Sequence, residues 1–193
     1  MILIGLSGSI GMGKSATSKM FRESGIPVYD ADAAVHRLYS GAAVGPVGAL
    51  FPSAIVDGRV DRAILSKFVL ADKSALRRLE EVVHPLVGAD RQAFLSNCRA
   101  QGAKACILDV PLLFETGGDR NVDVIVVVST SPEEQERRVL ARPDMTVEKF
   151  HAIRSKQMSD TDKKKRAHFV IDSGRGFDYA RRQVTDFLLA LGI

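Results

Sequence analysis

One octapeptide constrains this chain more than any other feature. Gly8-Ser9-Ile10-Gly11-Met12-Gly13-Lys14-Ser15 is a complete G-x-x-x-x-G-K-[ST] phosphate-binding loop. An apolar run over residues 1–7 precedes it, and a helical pattern over residues 14–23 follows. The chemistry requires these residue types. Glycine lets successive backbone N–H groups turn inward around phosphate oxygens. The helix that follows adds free N–H groups and the positive end of its dipole. Lys14 supplies charge to the β and γ phosphates, and the Ser15 hydroxyl suits Mg²⁺. Gly8, Gly11, Met12, Gly13, Lys14, Ser15 and Ala16 are therefore the expected nucleoside-triphosphate contacts. A dinucleotide motif, G-x-G-x-x-G from Gly11, competes for the same residues. Ala16 stands at its third glycine and Lys14-Ser15 lies inside it, which favours the triphosphate.

Around this loop, apolar segments alternate with helical patterns. Residues 26–29, 105–110, 122–129 and 168–172 read as further strands. The segment 122–129 is almost wholly apolar, as a strand covered on both faces should be. Five strands alternating with helices predict an α/β fold with a parallel sheet. Between the second and third strands the spacing is helical, through Ile64, Leu65, Phe68, Leu76, Leu79, Val83 and Leu86. Pro85 is expected to kink or divide that run. So long an excursion reads as an inserted subdomain.

Composition fits one domain or one core with an insertion. The chain has 193 residues, 46% apolar and 26% charged, which excludes dominant disorder and fibrous classes. Apolar runs such as 124–128 are far short of the roughly 20 residues a membrane span needs. The N-terminus shows no basic region or cleavage site, so no secretory signal is expected. Cys98 and Cys106 have no metal spacing and read as buried thiols in a reducing cytoplasm. A net charge of +4 suits an anionic ligand. No basic stripe with interleaved aromatics appears, so no nucleic-acid partner is expected. Lys163-Lys164-Lys165-Arg166 reads as a solvated helical face.

Three further groups carry chemistry. Asp30-Ala31-Asp32 follows the second strand, where open parallel sheets place ligands. These carboxylates either serve as base or Mg²⁺ contact, or cap a helix and complement its dipole. Asp109 closes the apolar run 106–109 in a Walker-B-like pattern, either at Mg²⁺ or as an ordinary strand end. Ser131, with Pro132 and Glu134, reads as a helix start, and Thr146 as the next cap. The helix between carries Arg137, Arg138 and Arg142, with 138 and 142 on one face. Arginines there either stabilise phosphoryl-transfer charge or pair with Glu133, Glu134 and Glu136. The guanine-reading Asn-Lys-x-Asp of GTPase switches is absent. A small-molecule kinase is the first reading, and a nucleotide-dependent switch or binding module the alternative.

Several separate segments together resemble the dephospho-CoA kinase family. They are the loop 8–15, Gly25-Ile26-Pro27-Val28-Tyr29-Asp30-Ala31-Asp32, and Asp57-Gly58-Arg59-Val60-Asp61-Arg62. Leu79-Glu80-Glu81-Val82-Val83-His84-Pro85, Pro111-Leu112-Leu113-Phe114-Glu115, Arg138 with Arg142, Gln157 and residues 167–172 continue the series. The resemblance implies a cytoplasmic enzyme of coenzyme A synthesis with ATP and Mg²⁺, acting on the ribose 3′-hydroxyl of 3′-dephospho-CoA. A nucleoside monophosphate or other small-metabolite kinase is the alternative within that class. It implies a P-loop NTPase-type five-stranded parallel sheet flanked by helices, with a helical substrate insertion and a helical lid. In a single domain, the nucleotide core would cover about residues 1–32, 103–130 and 167–193. The CoA-side insertion would be about 33–102 and the lid about 131–160. Asp32, Lys14 and Arg138 are then the expected catalytic residues. Arg142 joins the ATP contacts. Asp32, Arg62, His84 and Glu115 join the substrate contacts, and Ser15 and Asp109 the metal contacts. Ser9, where the family often has Gly, and Met12, His168 and Ser173 depart from the family pattern. Met12 is expected to change little, because backbone donors do the binding. Ser173 removes any role of an asparagine side chain near the adenine.

Overall fold

The structure, a computed structural model, describes residues 1–193. In chain order its elements are β1 (Ile2–Ser7), α1 (Lys14–Glu23), β2 (Val28–Asp30), α2 (Ala31–Leu38), α3 (Val44–Leu50), β3 (Ile55–Val56), β4 (Arg59–Val60), α4 (Arg62–Ala71), α5 (Lys73–Ala100), β5 (Ala105–Asp109), β6 (Val124–Ser129), α6 (Pro132–Leu140), α7 (Val147–Arg154), α8 (Asp160–Arg166), β7 (Phe169–Asp172) and α9 (Phe177–Ala190). The chain divides into two compact units, Met1–Tyr29 with Cys98–Ile193, and Asp30–Asn97.

The first unit is built on a five-stranded parallel sheet in the order β2-β5-β1-β6-β7, flanked by helices. β1 is central, with Ile4 paired to Ile107 of β5 and to Val124 of β6. From β1 the chain first fills one side of the sheet, then the other. The C-terminal end of β1 is therefore the topological switch point, where open sheets of this kind bind ligands. β6 is buried on both faces. Val126 and Val128 pack with Ile4, Leu6, Ile107 and Ile171 against Phe21 of α1 and Phe187 of α9. Ile125 and Val127 turn the other way, to Leu113 and Phe114. This is why the segment reads as continuously apolar rather than alternating. The second strand begins later than the expected 26–29, because the Ile26 N–H is used to close α1 on the Phe21 carbonyl. Cys98 and Cys106 are buried free thiols. Burial raises both, Cys106 to about 11, so neither is a nucleophile near neutrality.

The second unit has its own core around Val47, Phe51, Val60, Leu65, Leu79 and Val83. The expected helical insertion also contains a β-hairpin, β3 paired antiparallel with β4. Asp57 and Gly58 form its turn, both at positive φ (48° and 72°). Asp-Gly is the sequence signal for such a turn, but strands this short left no alternation to accompany it. Pro85 does not divide the long helix: α5 runs unbroken through it. Proline removes one donor from the ladder. Leu79 and Val83 before it, and Leu86 and Val87 after it, pack on the same core and hold both halves.

Two expectations about charge are corrected. Lys163 is fully buried, whereas Lys164, Lys165 and Arg166 are solvated. Arg142 lies beyond α6, whose cap is Ala141, so it does not continue the Arg138 face as a helical i,i+4 neighbour. No helix is long and apolar enough to cross a membrane.

Candidate active site

The phosphate loop leaves β1 at the switch point and enters α1 through Gly13, at φ 88° and ψ 11°. α6, α7 and α8 start with side-chain caps from Ser131, Thr146 and Ser159, and each has acidic residues in its first turn. α1 has neither. Its first bond runs from the Thr17 N–H to the Gly13 carbonyl, which leaves the N–H groups of Lys14, Ser15 and Ala16 without helical partners. An uncapped helix start after a glycine loop is an anion site. Two glycines are fixed by close approach as well as by φ. A Cβ on Gly11 would lie 2.5 Å from Val139 Cγ2 and 2.9 Å from the Gln135 carbonyl oxygen. One on Gly13 would lie 2.9 Å from Ser173 Oγ.

The Lys14 ammonium is ion-paired with Asp109, which is 3% exposed at the end of β5. Two residues expected from separate motifs are thus joined directly, 95 positions apart in sequence. Ser15 is exposed in the first turn of α1. No group of three or more His, Cys, Asp or Glu side chains is placed to hold a metal by itself. A hydroxyl and a carboxylate are nonetheless the hard oxygen donors that Mg²⁺ takes together with substrate phosphates.

Arg138 is tied down on three sides. Its Nε donates to Glu134 at 2.7 Å, and its terminal nitrogens donate to Oγ and the carbonyl of Ser173, both at 2.8 Å. Bonds from Arg137 and Arg138 hold the Glu134 carboxyl down to about 2. Ser173 Oγ in turn donates to the Met12 carbonyl at 2.7 Å. Met12 is also held through its side chain. Its side chain is 3% exposed, and its sulfur accepts from the Thr130 N–H at 3.3 Å. Arg138, Ser173, Gly13, Thr17, Gly176 and Phe177 line a cavity of about 440 Å³ beside the start of α1. Sequence reasoning missed Ser173 as a contact, because it was visible only as the place where a family asparagine is lacking. His168 is a strand-edge residue whose Nδ1 accepts from the Ile125 N–H at 3.0 Å.

Glu115 was expected at the substrate. In the structure its Oε1 accepts from the Met158 N–H at 2.7 Å and lies 3.0 Å from the buried Lys163 ammonium. Burial alone would raise this carboxyl. Its own backbone N–H, that of Met158 and the Lys163 charge outweigh burial and hold it below its ordinary value.

The remaining expected residues belong to the second unit. Asp30 caps α2, its Oδ1 accepting from the Ala33 N–H at 2.9 Å. Asp32 is exposed in the first turn of that helix. Arg62 opens α4 behind its Asp61 cap, and His84 is exposed on α5.

Against known proteins, a family profile described as dephospho-CoA kinase matches residues 2–178. A curated dephospho-CoA kinase of Rhodopseudomonas palustris is 53% identical over 188 residues, covering 97% of this chain and 94% of that protein. A crystal structure from Thermus thermophilus superposes with a TM-score of 0.85 at 35% identity, covering 98% of this chain and 96% of that one. The dephospho-CoA kinase of Campylobacter jejuni shares the fold, with a TM-score of 0.73 at 22% identity over 98% of this chain and 96% of its own. A complete phosphate loop at the switch point, in a chain this similar over nearly its whole length, places it: the chain belongs to the dephospho-CoA kinase family.

Proposed function

We propose that the chain transfers the γ-phosphoryl group of ATP to the ribose 3′-hydroxyl of 3′-dephospho-CoA, giving ADP and CoA, through the residues assigned below. The observation that carries this reading is the uncapped start of α1 behind the complete glycine loop, in a member of this family.

Gly8, Gly11, Met12, Gly13, Lys14, Ser15 and Ala16 cradle the ATP phosphates. Lys14 exchanges its Asp109 partner for the β and γ phosphates, a point charge meeting the oxygens that gain charge. Ser15 and Asp109 would hold Mg²⁺ together with the phosphates, and the ion would supply further charge neutralisation there when bound. The acceptor O3′ forms the new bond to the γ-phosphorus. The bond from that phosphorus to the β,γ-bridging oxygen breaks, and ADP leaves with the electron pair. Asp32 takes the proton of the 3′-hydroxyl. Arg138 stabilises the transferring group from beside Gly13, with Arg142 near the ATP. Arg62 and His84 serve the CoA side. Residues 131–160 act as a lid over the core segments 1–32, 103–130 and 167–193, and residues 33–102 bind the CoA moiety. The reduced buried pair Cys98 and Cys106 supports a cytoplasmic setting.

Coupled ADP release tests the assignment. Turnover should require 3′-dephospho-CoA and be negligible with nucleoside monophosphates. Equal rates on a nucleoside monophosphate would move the chain to the alternative kinase class. ADP release indifferent to any acceptor would leave only a nucleotide-dependent switch.

A further inference from the structure

The phosphate loop is held from outside its own octapeptide by two glutamines. Ile10 is the loop residue whose two backbone polar groups are both taken by side chains. Gln135 Nε2, from the middle of α6, donates to the Ile10 carbonyl at 2.7 Å. Gln157 Oε1, from the segment after α7, accepts from the Ile10 N–H at 3.1 Å. Gln135 is 4% exposed. Ile10 is followed by Gly11, pressed against Val139 and Gln135 of α6 so closely that no Cβ fits. The Gln157 side is anchored in its turn. Its neighbour Met158 donates to Glu115, and Glu115 is paired with the buried Lys163.

We propose that Gln135 and Gln157 are positioning residues: together they clamp the two peptides on either side of Ile10, so that the loop's first half meets the terminal phosphate in one fixed orientation. This rests on the kinase reading above. The Ile10–Gly11 peptide borders a glycine at φ 80° and has no intrinsic reason to hold one orientation. If it flipped, its carbonyl would face the phosphates, and a carbonyl dipole there repels an anion. Gln135 donates to that carbonyl, and Gln157 accepts from the N–H of the preceding Ser9–Ile10 peptide, so both peptides are fixed. Each glutamine makes its bond to Ile10. The free N–H groups that open α1 stay in place without the clamp, whereas Ile10 lies in the first half of the loop, four residues before Lys14. Losing the clamp therefore acts on transfer more than on binding of ADP. Gln135 lies in α6 and Gln157 after α7, so the two ends of one helical excursion close on the two peptides of one residue.

The test is a matched pair of variants, Gln157→Met and Gln135→Met, which keep side-chain length and remove the hydrogen bond. Steady-state kinetics, ADP affinity by calorimetry and thermal midpoint are read on each. One lost hydrogen bond of about 1–1.5 kcal/mol corresponds to roughly tenfold. Both variants should lose about tenfold in kcat, with ADP affinity within about threefold of the parent and the fold retained. A kcat within twofold of the parent in both would overturn the clamp. So would a rise in KM for ATP at unchanged kcat, or equal losses in kcat, ADP affinity and midpoint, which mark a merely structural role. Failure of the parent protein to use 3′-dephospho-CoA would instead overturn the reading on which the clamp rests.

Discussion

Glu115→Gln separates two roles for a residue of the Pro-Leu-Leu-Phe-Glu segment. The substitution keeps the size and the acceptor for the Met158 N–H but removes the charge opposite Lys163. Lys163 is 0% exposed, and Glu115 is its only ion-pair partner, so its ammonium would be left buried and uncompensated. Breaking one side of a buried pair costs about 3–5 kcal/mol. At about 2–4 °C per kcal/mol for a chain of this size, the thermal midpoint should fall by about 6–20 °C. Lys163→Met removes the buried charge itself. Glu115 then keeps its backbone donors and reaches solvent through a side chain that is 17% exposed. That variant should lose only about 1–2 kcal/mol. The sign with pH follows from the carboxyl being held below its ordinary 4.5. Its contribution is full above pH 4.5 and is lost as pH falls through the lower folded value. Parent stability should therefore decline with acid below pH 4.5, and Glu115→Gln should lack that component of the decline. Circular dichroism melts from pH 3 to 7 on parent and both variants measure this. A Glu115→Gln midpoint within about 2 °C of the parent, with a large rise in KM for dephospho-CoA, would refute the anchor and return Glu115 to the substrate.

Three further substitutions probe the site. Asp32→Asn should lower the single-turnover rate by roughly 10²–10⁴, the range for a general base, while costing no more than about 1 kcal/mol as a first-turn residue; a rate loss under about tenfold would send the search for the base to Asp30. Lys14→Met should abolish measurable transfer and also lower the midpoint, because Asp109 loses its partner at 3% exposure; adding Asp109→Asn should restore stability but not turnover. Arg138→Ala should reduce kcat by as much as about 10³ with little change in KM for dephospho-CoA; unchanged kcat with a raised KM would contradict its role at the transferring group.

What could be read from the sequence was what is local. The glycine loop, the start of α1 at Lys14 and the Ser131 and Thr146 caps depend on neighbours within a few residues, and the structure has them there. β6 was legible because two-sided burial leaves a continuous apolar run. The failures have the opposite cause. Lys14 with Asp109, 95 residues apart, and Arg138 with Ser173, 35 apart, are brought together by strand order, on which local periodicity is silent. Lys163 looked solvated because three flanking cations are, and only the fold supplies Glu115. Pro85 marks a division in local terms, whereas packing on both sides keeps α5 whole. Ser173 was read for what it lacks, and its bond to the loop carbonyl had no sequence signal.

The position of the transferred phosphate is the most direct test. Parent protein is incubated with ATP and 3′-dephospho-CoA, and the product is examined by phosphorus NMR. One new phosphomonoester, coupled to the ribose H3′, should appear beside an intact diphosphate, in a one-to-one ratio with ADP. A phosphate on any other hydroxyl, or inorganic phosphate in place of the monoester, would contradict transfer to the 3′-hydroxyl.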